Sequence, residues 1–69
     1  MDKQELLKRF SYHPPKEGQP PKYEEIRSEA LGFSEVLNRL CPESREKSLA
    51  MTHLEDAVMW ANAAIARNE

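Results

Sequence analysis

From Ser44 to Arg67 the chain reads SREKSLAMTHLEDAVMWANAAIAR, with neither proline nor glycine. At about 1.5 Å per residue it permits one helix about 36 Å long. Its apolar positions form two stripes. Ala50, Leu54, Ala57, Ala61 and Ala64 recur at spacings 4, 3, 4 and 3, whereas Met51, Val58 and Ile65 recur at spacing 7. One partner helix covers one stripe, so the other, with Trp60 beside it, needs a second surface. A chain this small has little else to offer it, so the pattern predicts contact with another copy through Met51, Val58, Trp60 and Ile65.

Upstream, Tyr23, Ile26, Ala30, Phe33, Leu37 and Leu40 recur at spacings 3, 4, 3, 4 and 3, an a/d seam that predicts a helix over 21–40. Glu24 and Glu25 are assigned to its first turn and Arg39 to its last, as the helix dipole favours. Cys41-Pro42-Glu43-Ser44 breaks the pattern and is short enough to fold the two helices into an antiparallel hairpin. Either Ser44 caps the helix over 44–67, or Cys41 does with Pro42 first in the helix. Residues 11–21, with Pro14, Pro15, Pro20, Pro21 and Gly18, form a stiff irregular elbow. Asp2 and Glu5 resemble a capping box, and Leu6, Leu7 and Phe10 continue it as a short helix within 1–10. The expected fold is therefore all-α: a short N-terminal helix, an elbow and a long hairpin, in one domain spanning 1–69.

Composition narrows the function. The 69 residues carry a net charge of −2 and one cysteine, Cys41. A domain of about 60 residues buries only about 60% of its unfolded surface. It usually needs disulfides, a metal or partner subunits. A lone cysteine makes no internal bridge, and His13, His53 and Cys41 lack ligand-like spacing, so no cofactor or metal is expected. Self-association remains. No apolar run approaches the roughly 18 residues of a membrane span, and Met1-Asp2-Lys3-Gln4-Glu5 lacks a signal peptide's apolar core. Acidic balance argues against DNA or RNA polymers as partners. Two separated glycines, Gly18 and Gly32, exclude a Walker-type loop.

The elbow gathers Phe10, Tyr12 and His13 near Lys16, Lys22 and Arg27. Rings stack on bases and cations meet phosphates, so this set suits a nucleotide. The same residues also fit a structural role, with Tyr12 and Phe10 stapling the elbow and the cations in solvent. His13 has no carboxylate or nucleophile assigned beside it, which favours packing or ligand contact over acid–base work. Arg45 and Lys47 open the last helix, where free N–H groups favour an anion. A solvated charged face is the plainer reading. Asn62, alone in an apolar stretch, requires a hydrogen-bond partner. Glu24-Glu25 and Glu55-Asp56 are adjacent, so each pair diverges around its helix. Nothing here argues for an enzyme.

Several motifs follow in a familiar order. They are Phe10-Ser11-Tyr12-His13-Pro14-Pro15, Gly18-Gln19-Pro20, Lys22-Tyr23-Glu24-Glu25-Ile26-Arg27, the segment from Cys41 to Ala50, and Leu54 to Arg67 with Trp60-Ala61-Asn62. Together they resemble the phage cyclic-nucleotide sponges, the anti-CBASS type-two proteins and the related Thoeris anti-defence type-one proteins. The resemblance implies a compact homohexamer that acts in the cytoplasm of the infected bacterium. Such proteins bind cyclic oligonucleotide immune signals between protomers and release them intact. It implies that Tyr12 stacks on a base of a cyclic dinucleotide, that Arg27 or Lys22 meets its phosphates, and that Phe10 and Pro14, beside His13, line that pocket. A second, trinucleotide pocket falls to Arg45, Lys47 and Asn62. Two other readings stand beside this one: a helical adaptor or inhibitor acting through the Trp60 face, and a weak nucleotide-cleaving enzyme using His13.

Overall fold

The computed structural model describes residues 1–69, which form three helices and no strand: α1 (Lys3–Phe10), α2 (Gln19–Leu40) and α3 (Arg45–Asn68). Asp2 caps α1, its Oδ1 accepting the Glu5 amide at 2.8 Å. The helix ends at Ser11, and the chain runs irregularly to Gly18. There φ is +85°, a left-handed conformation that glycine adopts without a Cβ clash. α2 begins at Gln19, two residues ahead of the expected Pro21, so the elbow shortens to 11–18. Pro20 and Pro21 sit inside its first turn, where no amide hydrogen is required. Glu24 and Glu25 consequently fall beyond the first turn, which holds no acidic residue.

The hairpin turn is held by one lysine. Ser44 caps α3, accepting the Lys47 amide at 3.1 Å. The Lys47 ammonium reaches back to donate to the Asn38 carbonyl at 3.1 Å and to Glu43 Oε1 at 2.5 Å. Lys47 thereby satisfies a carbonyl at the end of α2 while fixing the start of α3. It is only 8% exposed.

The main helix–helix packing is α2 on α3. Its seam departs from the expected stripes. Ile26, Ala30, Ser34 and Leu37 of α2 are half-buried, but Phe33 and Leu40 face out. On α3 Ala50, Met51, Leu54, Val58, Ala61 and Ile65 are among the half-buried residues, mixing both stripes, while Ala57 and Ala64 are exposed. A straight helix of 3.6 residues per turn drifts by about 20° per heptad, so neither strict heptad stripe follows the contact along its length.

The protomer measures 46 × 29 × 13 Å, so its thinnest dimension approximates one helix with side chains, about 10–12 Å. Its radius of gyration is 15.3 Å, against about 11 Å for a compact chain of this length. Its surface is 5690 Å², against about 4,450 Å² for a compact monomer. No apolar side chain is fully buried; the two buried residues are Gln19 and Lys47. A single layer of helices has no second layer on which to close a core. Both faces of the hairpin carry apolar grooves that share Ala30, Leu54 and Val58. One is flanked by Leu31, Met51 and Met59, the other by Ile26, Phe33, Ala57 and Ala61. No helix is long and apolar enough to cross a membrane.

Candidate functional site

The elbow is fastened at both ends. His13 Nε2 lies 2.7 Å from the Lys8 carbonyl, which only accepts, so Nε2 carries the proton and donates. This bond caps the last turn of α1 and fixes the imidazole. Gln19, only 3% exposed, joins the other end to α3. Its Oε1 accepts the Lys16 amide at 2.9 Å, and its Nε2 donates to the Ile65 carbonyl at 3.3 Å. The Lys16 ammonium donates to the Glu69 carbonyl, and Lys22 Nζ meets Glu69 Oε2 at 2.6 Å. Lys22's hydrogen bond, opposed in part by desolvation, holds the Glu69 carboxyl below its ordinary value.

Between the fastened elbow, the start of α2 and the end of α3 lies an open cleft of about 370 Å³. It is lined by Tyr12, His13, Pro15, Tyr23, Arg27, Asn62, Ala63 and Ala66. The volume falls within the range of about 300–1,000 Å³ usual for small-ligand sites. Helical spacing explains the wall: Tyr23 and Arg27 stand four apart on α2, and Asn62 and Ala66 four apart on α3. Ala63 and Ala66 leave room beside them. Tyr12 is 83% exposed, so its ring is open to a stacking partner. The chain's four ion pairs do not include Arg27. Asn62 Oδ1 is the one buried side-chain polar atom without a hydrogen-bond partner. Aromatic rings, an uncompensated guanidinium and an unspent acceptor therefore share one cleft.

The cleft unites Tyr12, His13 and Arg27 with Asn62, which the sequence had assigned to a second pocket. Lys22 stands at the rim, engaged by Glu69. Pro14 is not among the lining residues; Pro15 takes that place. Phe10 is elsewhere, in a separate cleft of about 500 Å³ with Lys8, Arg9, Trp60 and Arg67. The trio of Arg45, Lys47 and Asn62 is not assembled within a protomer: Lys47 is spent on the hairpin turn. Asn62 lies 15 residues after Lys47 along α3, a separation of about 22 Å. Met51, Val58, Ile65 and Trp60 do not share one outward stripe. Val58 lies in the hairpin seam between both grooves, whereas Trp60 is 68% exposed beside Phe10.

Three contributors escaped the sequence reading. Tyr23 was assigned to the seam, although its four-residue spacing from Arg27 signals a shared face. Gln19 and Glu69 carried no signal, because their partners lie 46 and 47 residues away.

A family model described as Acb2/Tad1, hairpin domain, matches residues 2–66. Comparison with curated proteins and with solved structures gives no match. The match spans all of α1 and α2 and nearly all of α3, including every residue of the Tyr12–Arg27–Asn62 cleft. The chain thus belongs to the Acb2/Tad1 hairpin family, the sponge family its motifs resemble.

Proposed function

We propose that the protein is a non-catalytic sponge that sequesters cyclic oligonucleotide immune signals and so blocks CBASS signalling in the infected bacterium. Cyclic dinucleotides such as cyclic GMP–AMP are the first ligand class, and cyclic trinucleotides the second. The observation that carries this reading is the convergence of Tyr12, Tyr23, Arg27 and Asn62 on one cleft. Tyr12 stacks on a base, a contact worth about 1–3 kcal/mol. Arg27 meets a phosphate with a planar charged donor that no internal carboxylate neutralises. Asn62 supplies an amide for a base edge. Family membership supports the same class of ligand.

Sequestration without cleavage fits the lining, which contains no carboxylate, serine, threonine or cysteine. His13 has no carboxylate or nucleophile beside it in the cleft, and its Nε2 donates to the Lys8 carbonyl. The single-layer protomer, apolar on both faces, supports assembly into a homo-oligomer, for which the family resemblance implies a hexamer. A neighbouring copy would also close the open side of the cleft. The adaptor reading retains one observation: Trp60 and Phe10 are exposed together beside Lys8, Arg9 and Arg67. Native mass spectrometry with a panel of cyclic di- and trinucleotides tests the proposal. Bound ligand should appear on an oligomer and be recovered at unchanged mass after heat release. A monomer that binds none of the panel supports the adaptor, and recovery of linear product supports the enzyme.

A further inference from the structure

The rim of the cleft holds a second pair of cations. Lys16 directly follows Pro15, Lys22 directly precedes Tyr23, and Glu69 lies one turn beyond Ala66; Pro15, Tyr23 and Ala66 all line the cleft. Both ammonium groups converge on Glu69, Lys22 on its carboxylate and Lys16 on its carbonyl. The Lys22–Glu69 pair is exposed, with about half of the Lys22 side chain open to solvent. An exposed pair of this kind is held only weakly, because solvent screens it. A ligand with two phosphates places one charge on Arg27 and needs a countercharge for the other.

We infer that Lys16 and Lys22 form a second phosphate subsite at the rim of the cleft, filled in the free protein by Glu69 as a stand-in anion that a phosphodiester displaces. This rests on the sponge reading and extends it to the second phosphate of the same ligand. The exchange costs little because one anion replaces another on Lys22, Lys16 trades a neutral carbonyl for a charged oxygen, and Glu69 is released into water. The free protein also keeps its cationic rim from repelling itself or collecting other polyanions.

The test is titration of cyclic GMP–AMP into the wild type, Glu69→Gln, Lys22→Gln and the double variant, with circular dichroism and sizing on each. If Glu69 competes with phosphate, Glu69→Gln binds about two- to fivefold tighter, the range set by losing one exposed pair. Lys22→Gln should bind more weakly. The double variant should lose the gain from Glu69→Gln, since the subsite it uncovers is gone. Unchanged or weaker binding by a folded Glu69→Gln overturns the stand-in role and leaves the sponge reading intact. A wild type that binds no cyclic nucleotide overturns both. If Glu69→Gln loses helicity or changes size, Glu69→Asp, which keeps the charge on a shorter arm, replaces it. That variant should also bind more tightly, and weaker binding overturns the subsite.

Discussion

Replacing Gln19 by leucine tests how the elbow is held over the cleft. The side chain is almost wholly buried and spans from the elbow to α3. Leucine is close in volume, so the main change is chemical. The Lys16 amide loses its acceptor at 2.9 Å and has no other partner. The Ile65 carbonyl loses less, because it keeps the Glu69 amide at 3.2 Å and the Gln19 bond to it is long at 3.3 Å. The cost is therefore one orphaned donor, about 1–3 kcal/mol. It falls mainly on elbow docking, since the one hairpin contact touched is the long bond from the first residue of α2 to the Ile65 carbonyl near the end of α3. Amide hydrogen exchange reads this directly. Exchange at Lys16 should accelerate about five- to 150-fold in Gln19→Leu, the same free energy expressed as an opening equilibrium. Amides of Leu54 and Val58 should exchange at wild-type rates. Cyclic dinucleotide affinity should fall alongside, because Tyr12 is no longer fixed over the cleft. Unchanged exchange at Lys16, or equal acceleration through the hairpin, would refute the keystone role of Gln19.

Arg27→Ala should weaken dinucleotide binding and flatten its dependence on salt, since one charge-assisted phosphate contact is removed; titration at two ionic strengths checks this. If the protein assembles as proposed, Met59→Glu should dissociate it while leaving the helices formed, because Met59 flanks an exposed groove. Val58→Glu should lower helicity as well, its charge falling in the seam at a cost of several kcal/mol; sedimentation with circular dichroism separates the two. The Glu69 carboxyl sits lower in the folded protein than in an unfolded chain, so its latch contributes above the ordinary carboxylate range and is lost as pH falls through the folded value. Carbon-detected NMR should give Glu69 a titration midpoint below that of a glutamate in an unstructured peptide, and a midpoint at or above it would remove the latch.

The hairpin was legible because two long segments without internal breaks carry helical periodicity on either side of a proline turn. What faces the seam was less so. Phe33 and Leu40 match a heptad as well as Ile26 and Leu37 do, and only helix drift and crossing geometry separate them. That Tyr12, His13 and Arg27 come together was readable from the elbow, since a short segment with adjacent prolines holds rings and cations near one another. Asn62 stands out as the lone polar residue of its stretch, yet its place beside Tyr12 and Arg27 was not legible, because depth along α3 is invisible until the elbow is seen to fold back. Lys47 misled for a related reason. A lysine three residues past a cap reads as a surface cation, but a tight turn lets its long arm reach the preceding helix. Gln19 and Glu69 act across nearly the whole chain, and no local pattern encodes such pairings.

Isothermal titration of Tyr12→Ala with cyclic GMP–AMP, beside a size measurement, tests the central claim most directly. Loss of the stacking face should cost about 1–3 kcal/mol per site, roughly a ten- to hundredfold fall in affinity. Tyr12→Phe should retain most of it. The assembly should be unaltered, since Tyr12 lies on the elbow and away from the hairpin grooves. Wild-type affinity in Tyr12→Ala would contradict the cleft as the binding site and favour the Trp60 face as the working surface.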